Sequence, residues 1–252
     1  MTETTQISFS RDGHIARLTF ERPAQLNALS PTLIDETLRV TQEVAASDAR
    51  VLIVSGAGKA FSAGVDLKAA TSPEYTREVA KRFSEQAREV EKLFETMPQA
   101  TIAQVRGYCY TGGLELALGC DFIVASENAS FADTHGKLGL KPGWGLSQRL
   151  PARIGVMRAK EMSLAGKKVG AEEAVRIGLI LEAVPDEALE ARVTELAEAI
   201  AGMQPRAVAA YKTLYRSSLN LGLDAGLEYE GELKMPRAQG AERVPLSEHL
   251  KK

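Results

Sequence analysis

The pattern of apolar and polar positions predicts an alternation of strands and helices along the chain. Near the N-terminus, "ISFS" and "HIARLTF" flank the turn "RDG", and Ala16, Leu18 and Phe20 alternate with polar residues. Alternation at every second position predicts a hairpin whose second strand is half-buried. In "SPTLIDETLRVTQEVAAS" the apolar residues recur every three or four positions after a Ser-Pro start, which predicts a capped amphipathic helix.

The middle of the chain contains short, continuous apolar runs. We expect strands at "RVLIVSG", "TIAQV", "DFIVAS" and "ASFAD", and a long helix that begins at Ser72-Pro73 and ends at Pro98. A run without alternation is typical of a strand covered on both faces, as in a parallel sheet. Strand, loop, helix and strand in repetition predict an α/β fold with right-handed crossovers.

The last third of the chain is predicted to be helical. "GWGLSQRLPARIGVMRAKEMSLAG" indicates two helices interrupted at Pro151, and "GAEEAVRIGLI" indicates a shorter one. From about residue 189 onward only helical patterns remain. We therefore expect a core over residues 1–189 that contains the functional site, and a helical C-terminal part over residues 190–252.

Composition and charge exclude several function classes. Among 252 residues, 31 basic and 33 acidic side chains give a net charge of −2 without a long run of either sign, which argues against nucleic acid or an anionic membrane as partner. No apolar stretch approaches the ~18 residues of a membrane span, and "MTETTQISFS" does not resemble a signal peptide, so we expect a cytoplasmic protein. Cys109 and Cys120 have no partners at metal-ligand spacing, so we expect packed, reduced thiols and no metal.

One carboxylate stands out in an otherwise apolar segment. In "TGGLELALGCD", Glu115 lies among leucines and alanines, where an unpaired charge costs several kcal/mol or raises its own pKa. Such a cost is typical of a group that moves a proton, although the carboxylate could also pair with an arginine or be hydrogen-bonded across the core. The preceding Gly112 and Gly113 offer free backbone N–H groups at a helix start. With the Ala63 amide from "AFSAGVDL" as second donor they predict an oxyanion site, although glycines in either loop can also simply make tight turns.

Three motifs in order make the chain recognisable. "FSAGVDL", "VRGYCYTGGLELALGCDFIVAS" and "KLGLKPGWGLSQRL" resemble the crotonase superfamily, the enoyl-CoA hydratase and isomerase family. The resemblance implies a crotonase-like spiral of ββα units and a helical C-terminal part, residues 190–252, that serves trimerisation in a homotrimer or homohexamer. It implies an acyl-CoA thioester substrate, whose enolate is held by the amides of Ala63 and Gly112 while Glu115 transfers protons. CoA arrives with the substrate, so no further cofactor is expected.

The same resemblance implies residues that contact CoA. They are Arg22, Lys59, Ala63, Gly64, Val65, Asp66 and Leu67. Charged side chains of this kind are more often solvated at the surface, and Asp66 can instead cap the following turn.

The departures from the family pattern decide the mechanism. Hydratases of this family carry a second glutamate after the "ASFAD" strand, and alignment of "FADTHGKLGLKPG" places His135 there. An imidazole can accept or donate a proton near neutral pH, and Asp133 is expected to orient it, although a merely space-filling histidine is the alternative. Trp144 either reshapes the acyl pocket or fills the core.

The sequence therefore predicts an enoyl-CoA hydratase-type lyase in which Glu115 and His135 share proton transfer. A double-bond isomerase that uses Glu115 alone is the first alternative. A hydrolase, a dehydratase or another branch with His135 as base, and an acyl-CoA-binding protein with little turnover, are the others.

Overall fold

The computed structural model describes residues 4–234. Its ten strands are β1 (Ile7–Asp12), β2 (Ile15–Phe20), β3 (Val51–Gly56), β4 (Ala60–Ser62), β5 (Ala100–Val105), β6 (Tyr108–Tyr110), β7 (Phe122–Ser126), β8 (Ser130–Ala132), β9 (Val169–Gly170) and β10 (Glu182–Val184). Its α-helices are α1 (Pro31–Ala45), α2 (Leu67–Ala70), α3 (Arg77–Thr96), α4 (Gly112–Gly119), α5 (Leu146–Ile154), α6 (Val156–Leu164), α7 (Ala171–Arg176), α8 (Leu189–Ala201), α9 (Pro205–Ser218) and α10 (Leu223–Glu232).

The strands form two sheets that share one repeating unit. The larger sheet has the order β1-β2-β3-β5-β7-β10, and the smaller has the order β4-β6-β8-β9. Each successive pair, β3/β4, β5/β6 and β7/β8, gives its first strand to the larger sheet and its second to the smaller, always in parallel pairing. The predicted hairpin β1-β2 and the predicted parallel sheet are confirmed. This winding is the ββα spiral expected from the sequence.

Local sequence explains where α1 and α3 begin. Ser30 caps α1 with its side-chain oxygen, which accepts from the Leu33 N–H at 3.1 Å, and Pro31 is the first helical residue, as predicted. The start predicted for the long helix, Ser72-Pro73, is wrong, because that segment turns after the short helix α2. The Thr76 hydroxyl instead accepts from the Val79 N–H and opens α3.

The break between α5 and α6 also differs from the prediction. Pro151 lies inside α5, where it removes one hydrogen-bond donor without ending the helix. The interruption falls at Gly155, whose φ of 78° and ψ of 152° leave helical backbone in a conformation that favours glycine.

Among the described helices of the C-terminal part, only α8 contributes buried residues to the core. Helix α8 packs on the larger sheet, where Leu189, Val193 and Ala197 are buried against strands β3, β5 and β7. Helices α9 and α10 contain no buried residue. The predicted part over residues 190–252 ends outside the described residues, since the description stops at residue 234.

Both cysteines are buried free thiols, as predicted. Burial raises the pKa of Cys109, and it raises the pKa of Cys120 to about 12.

Candidate active site

Glu115 lies in the first turn of α4, a helix whose eight residues are all buried. Its carboxylate is 2% exposed, and Oε1 accepts the backbone N–H groups of Trp144 at 3.0 Å and Leu146 at 3.1 Å. Within residues 4–234 no arginine or lysine lies at ion-pair distance from this carboxylate. Of the two structural alternatives, pairing with an arginine is therefore wrong, whereas hydrogen bonding across the core is observed, from two backbone donors.

His135 faces the other oxygen of the same carboxylate. It opens a 3₁₀ turn (His135–Leu138) directly after β8, and its Nε2 lies 3.8 Å from Glu115 Oε2. Its Nδ1 lies 2.7 Å from Asp133 Oδ1, which also accepts the His135 backbone N–H at 3.0 Å. The predicted contact between Asp133 and the imidazole is confirmed. It arises from a tight turn at Thr134 rather than from the extended segment that the sequence indicated.

The pKa values of the two carboxyl groups are shifted in opposite directions. Burial raises the pKa of Glu115, against the lowering effect of its two backbone donors and His135. Burial also opposes ionisation of Asp133, but hydrogen bonds from His135 and Ser163 outweigh it and lower the pKa of Asp133. A carboxylate only accepts hydrogen bonds, so Nδ1 carries the proton donated to Asp133 and Nε2 is directed at Glu115.

The two glycine-containing loops meet at the start of α4. Gly64 has a φ of 96°, and a side chain there would reach within 3.6 Å of the Gly112 nitrogen. A side chain on Gly113 would lie 2.7 Å from Ser62, so close approach of the loops requires glycine at this position. The prediction that both loops lie together is confirmed. Glycine at position 113 is needed for this close contact and not only for a tight turn.

The assignment of Ala63 as an oxyanion donor is wrong. Its N–H donates to the Leu26 carbonyl at 3.0 Å and is therefore occupied. The neighbouring Val65 forms a parallel β-bridge with Leu29. Its two hydrogen bonds run from the Leu29 N–H to the Gly64 carbonyl and from the Asp66 N–H to the Leu29 carbonyl, so the bridge does not use the Val65 N–H. Among the described residues, the N–H groups of Val65 and Gly112 have no hydrogen-bond acceptor. Sequence reasoning did not single out the free Val65 N–H, because the motif alone does not show which amide N–H groups are used in the bridge.

Thr111 is a strained residue that the sequence did not single out. It precedes Gly112 at a φ of 52° and a ψ of −114°, a conformation that is an outlier for a β-branched residue. Its N–H donates to the Ala132 carbonyl at 2.8 Å, and its hydroxyl pairs with that of Thr134. These contacts tie the start of α4 to the segment that carries His135. Only the tertiary structure reveals them.

Trp144 lies at the wall of the site and in the core at once. Its indole is 6% exposed and packs edge-on against Phe83 with ring centroids 5.1 Å apart. A side chain on Gly112 would approach the indole Cζ3 within 2.8 Å. Core filling is confirmed, and the indole also borders the start of α4.

The residues expected to contact CoA are partly engaged with one another. Arg22 donates to Asp66 at 2.7 Å and to the Ala28 carbonyl. Asp66 accepts the N–H groups of Lys68 and Ala69, so the predicted cap of the following turn is confirmed. Burial acts to raise the pKa of Asp66, but the hydrogen bond from Arg22 and the two capping hydrogen bonds outweigh it. The pKa of Asp66 is therefore lowered. Lys59 and Leu67 are exposed.

Metal-ligating clusters and membrane-spanning helices are both absent from the described residues. Residues 4–234 contain no group of three metal-ligating side chains that could hold an ion. No helix in that part of the chain is long and apolar enough to cross a membrane.

Known proteins resemble this chain over nearly its whole length. The family model described as enoyl-CoA hydratase/isomerase matches residues 10–243. A probable peroxisomal enoyl-CoA hydratase 1 from Arabidopsis thaliana is 33% identical, with 87% of this chain and 82% of that protein covered. A carnitinyl-CoA dehydratase from Citrobacter koseri is 36% identical, with 90% and 87% covered.

Solved structures of enoyl-CoA hydratases have the same fold as this chain. The enoyl-CoA hydratase from Bacillus anthracis superposes with a TM-score of 0.86 at 36% identity, covering 90% of this chain and 89% of that one. A putative enoyl-CoA hydratase from Thermobifida fusca in complex with CoA superposes with a TM-score of 0.83 at 28% identity, covering 90% of each chain. The chain belongs to the enoyl-CoA hydratase/isomerase family of the crotonase superfamily.

Proposed function

We propose that the protein is an enoyl-CoA hydratase-type lyase in which Glu115 and His135 share proton transfer. The observation that carries this proposal is the approach of Glu115 Oε2 to His135 Nε2 at 3.8 Å. This separation exceeds a direct hydrogen bond, and it lets both atoms contact one water molecule or one substrate carbon. The Asp133 carboxylate aligns the imidazole for that task.

The substrate carbonyl binds at the meeting point of the two loops. The free N–H groups of Gly112 and Val65 donate to the thioester oxygen and stabilise the negative charge that develops there. Val65 takes the role that was predicted for Ala63. The CoA complex of the Thermobifida fusca relative supports a CoA thioester as substrate. Lys59 and the loop residues from Gly64 to Leu67 contact the CoA portion, with Arg22 holding Asp66 in place.

The pair carries one proton through the reaction. Glu115 as carboxylate takes a proton from water while the oxygen bonds to the β-carbon, and His135 as imidazolium gives its Nε2 proton to the α-carbon. Glu115 is then protonated and His135 neutral, and transfer of that proton across the pair resets the site. The reverse sequence eliminates water, as the name of the carnitinyl-CoA dehydratase relative describes for that protein. No step of this reaction requires a metal or redox cofactor.

Incubation with 2-enoyl-CoAs in water enriched in heavy oxygen tests the proposal. Wild type is expected to hydrate crotonyl-CoA or a longer substrate with one labelled oxygen, and His135→Ala is expected to lose about 10²- to 10⁴-fold in rate, as an acid–base group would. Loss of the conjugated thioester absorbance and product mass are measured. Conversion of a 3-enoyl-CoA without label would instead support the isomerase, and binding without turnover would support an acyl-CoA-binding protein.

Assembly and location are separate parts of the proposal. We infer a homotrimer or homohexamer, in which the exposed helices α9 and α10 contribute contacts, and gel filtration tests it. A cytoplasmic location stays a prediction, since one relative is named peroxisomal and another, from Dictyostelium discoideum, mitochondrial.

A further inference from the structure

The loop that holds Glu115 is itself held by a partly buried arginine, Arg149. Arg149 Nη1 donates to the Trp144 carbonyl at 2.7 Å, while the Trp144 N–H donates to Glu115 at 3.0 Å. A single residue therefore stands between the guanidinium and the carboxylate. The Leu146 N–H, the second donor to Glu115, lies two residues further along the same loop.

The guanidinium is anchored on its other side by two glutamates of α3. Nη1 also donates to Glu91 at 2.6 Å, and Nε donates to Glu95 at 2.5 Å. Glu91 is fully buried, whereas Glu95 is partly exposed. A planar guanidinium can satisfy three acceptors from a fixed geometry, which a lysine ammonium on a flexible stem does not reproduce.

The absence of a side chain at Gly145 leaves room for the Arg149 guanidinium. The φ of Gly145 is 120°, and a side chain built there would collide with Arg149 Nη1. The Arg149 backbone N–H also donates to the Gly145 carbonyl at 3.0 Å, so loop and arginine are locked together at the start of α5. The loop geometry and the guanidinium position depend on each other.

We propose that Arg149 is a positioning residue for Glu115. By holding the Trp144 carbonyl, it keeps the Trp144 and Leu146 N–H groups directed at Glu115 Oε1. Those donors favour the ionised carboxylate, so their release disfavours it. This inference rests on the proposed function in one respect, since it takes Glu115 as the acid–base group.

Charge and geometry must be separated in the test, because Arg149 also carries a charge near Glu115. The other ionisable groups facing Glu115 are His135 and Asp133 from the segment after β8, and Glu91 from α3. Arg149→Met removes both charge and geometry, and Arg149→Lys keeps the charge alone. Arg153→Met is the matched control, since Arg153 lies one turn later on α5 and donates to the Cys120 carbonyl rather than to the loop.

Infrared difference spectra of the free protein measure the protonation of Glu115 without any turnover. The carboxylic acid band is assigned by its loss in Glu115→Gln. Both Arg149 variants are expected to raise the titration midpoint by about one pH unit, the size expected when hydrogen bonds to the ionised form are lost. Arg153→Met is expected to leave the midpoint unchanged. A wild-type midpoint in Arg149→Lys would show that charge alone acts and would overturn the positioning role.

Circular dichroism establishes that each variant is folded. Should Arg149→Met fail to fold, Arg149→Lys still decides the matter, because it keeps a cation beside Glu91. With crotonyl-CoA, Arg149→Lys is expected to lower kcat about tenfold, with KM unchanged. A shifted infrared midpoint in a protein that hydrates no enoyl-CoA would support the positioning role while rejecting the proposed function. An unshifted midpoint in a protein that hydrates enoyl-CoA normally would reject the positioning role of Arg149 and support the proposed function.

Discussion

Two buried glutamates lie on neighbouring helices, and their partners set them apart. Glu115 on α4 and Glu91 on α3 are 2% and 0% exposed, and burial raises the pKa of both. Glu115 accepts from two backbone N–H groups and faces His135. Glu91 pairs with Arg149, and its Oε1 finds no hydrogen-bond partner in the described part of the chain. Burial and a raised pKa alone therefore do not distinguish an acid–base residue from a structural one.

The difference lies in what else converges on each carboxylate. Beside Glu115 stand free backbone donors at Gly112 and Val65 and an imidazole aligned by Asp133. Beside Glu91 stand a guanidinium and a second carboxylate, which neutralise one another and hold a loop. We infer that the first glutamate moves protons and that the second stabilises the surroundings of the first.

The largest expected effect separates the two glutamates directly. Glu115→Gln keeps an oxygen for the Trp144 and Leu146 N–H groups but cannot take a proton from water. Hydration is expected to fall about 10²- to 10⁴-fold, as for loss of an acid–base group. The melting temperature should stay the same or rise, because a buried charge is removed. Initial rates and thermal unfolding are measured together, and Glu91→Gln serves as the matched control that keeps substantial activity.

The next effect tests whether the imidazole depends on its carboxylate. Asp133→Asn removes the charged acceptor of the His135 Nδ1–H and permits the other tautomer. Loss of one charge-assisted hydrogen bond is expected to lower kcat about 10- to 100-fold. Steady-state kinetics at saturating substrate measure it. An unchanged kcat would show that the imidazole needs no orienting group.

A pH profile sharpens the comparison further. Glu115 must be ionised to take a proton, and its raised pKa moves the acid limb of kcat/KM upward. Activity is expected to fall with decreasing pH at a midpoint above the ordinary glutamate pKa of 4.5. Profiles of wild type and Glu91→Gln are to be compared. A midpoint at or below the ordinary value would contradict the assignment of Glu115 as the base.

The smallest effect on activity is expected at Glu91, where the change concerns stability instead. Burial raises the pKa of Glu91 to about 9 from 4.5 in the unfolded chain, so its contribution is fully present below about pH 4.5 and is lost as pH rises through about 9. Glu91→Gln cannot ionise and lacks this loss. Its unfolding free energy in urea should therefore gain on that of wild type between these pH values. A constant difference across the range would show that Glu91 stays ionised in its pair with Arg149.

Local patterns carried much of the fold because they depend on neighbours in sequence. Alternation gave the β1-β2 hairpin, the Ser30-Pro31 start gave α1, and continuous apolar runs gave the parallel strands. Prediction failed where two local signals compete. Ser72-Pro73 resembled a helix start that Thr76 supplies, and Pro151 resembled a break that Gly155 supplies.

The sequence by itself determined the family and singled out the two loops, Glu115 and His135, because these are residue identities at fixed spacings. The tertiary structure decided which atoms are free and which are occupied. It assigned the Ala63 amide to Leu26, left those of Val65 and Gly112 open, and placed Arg149 behind the loop that holds Glu115. Hydrogen-bond partners distant in sequence are chosen by the packing of whole elements, and no local pattern records that choice.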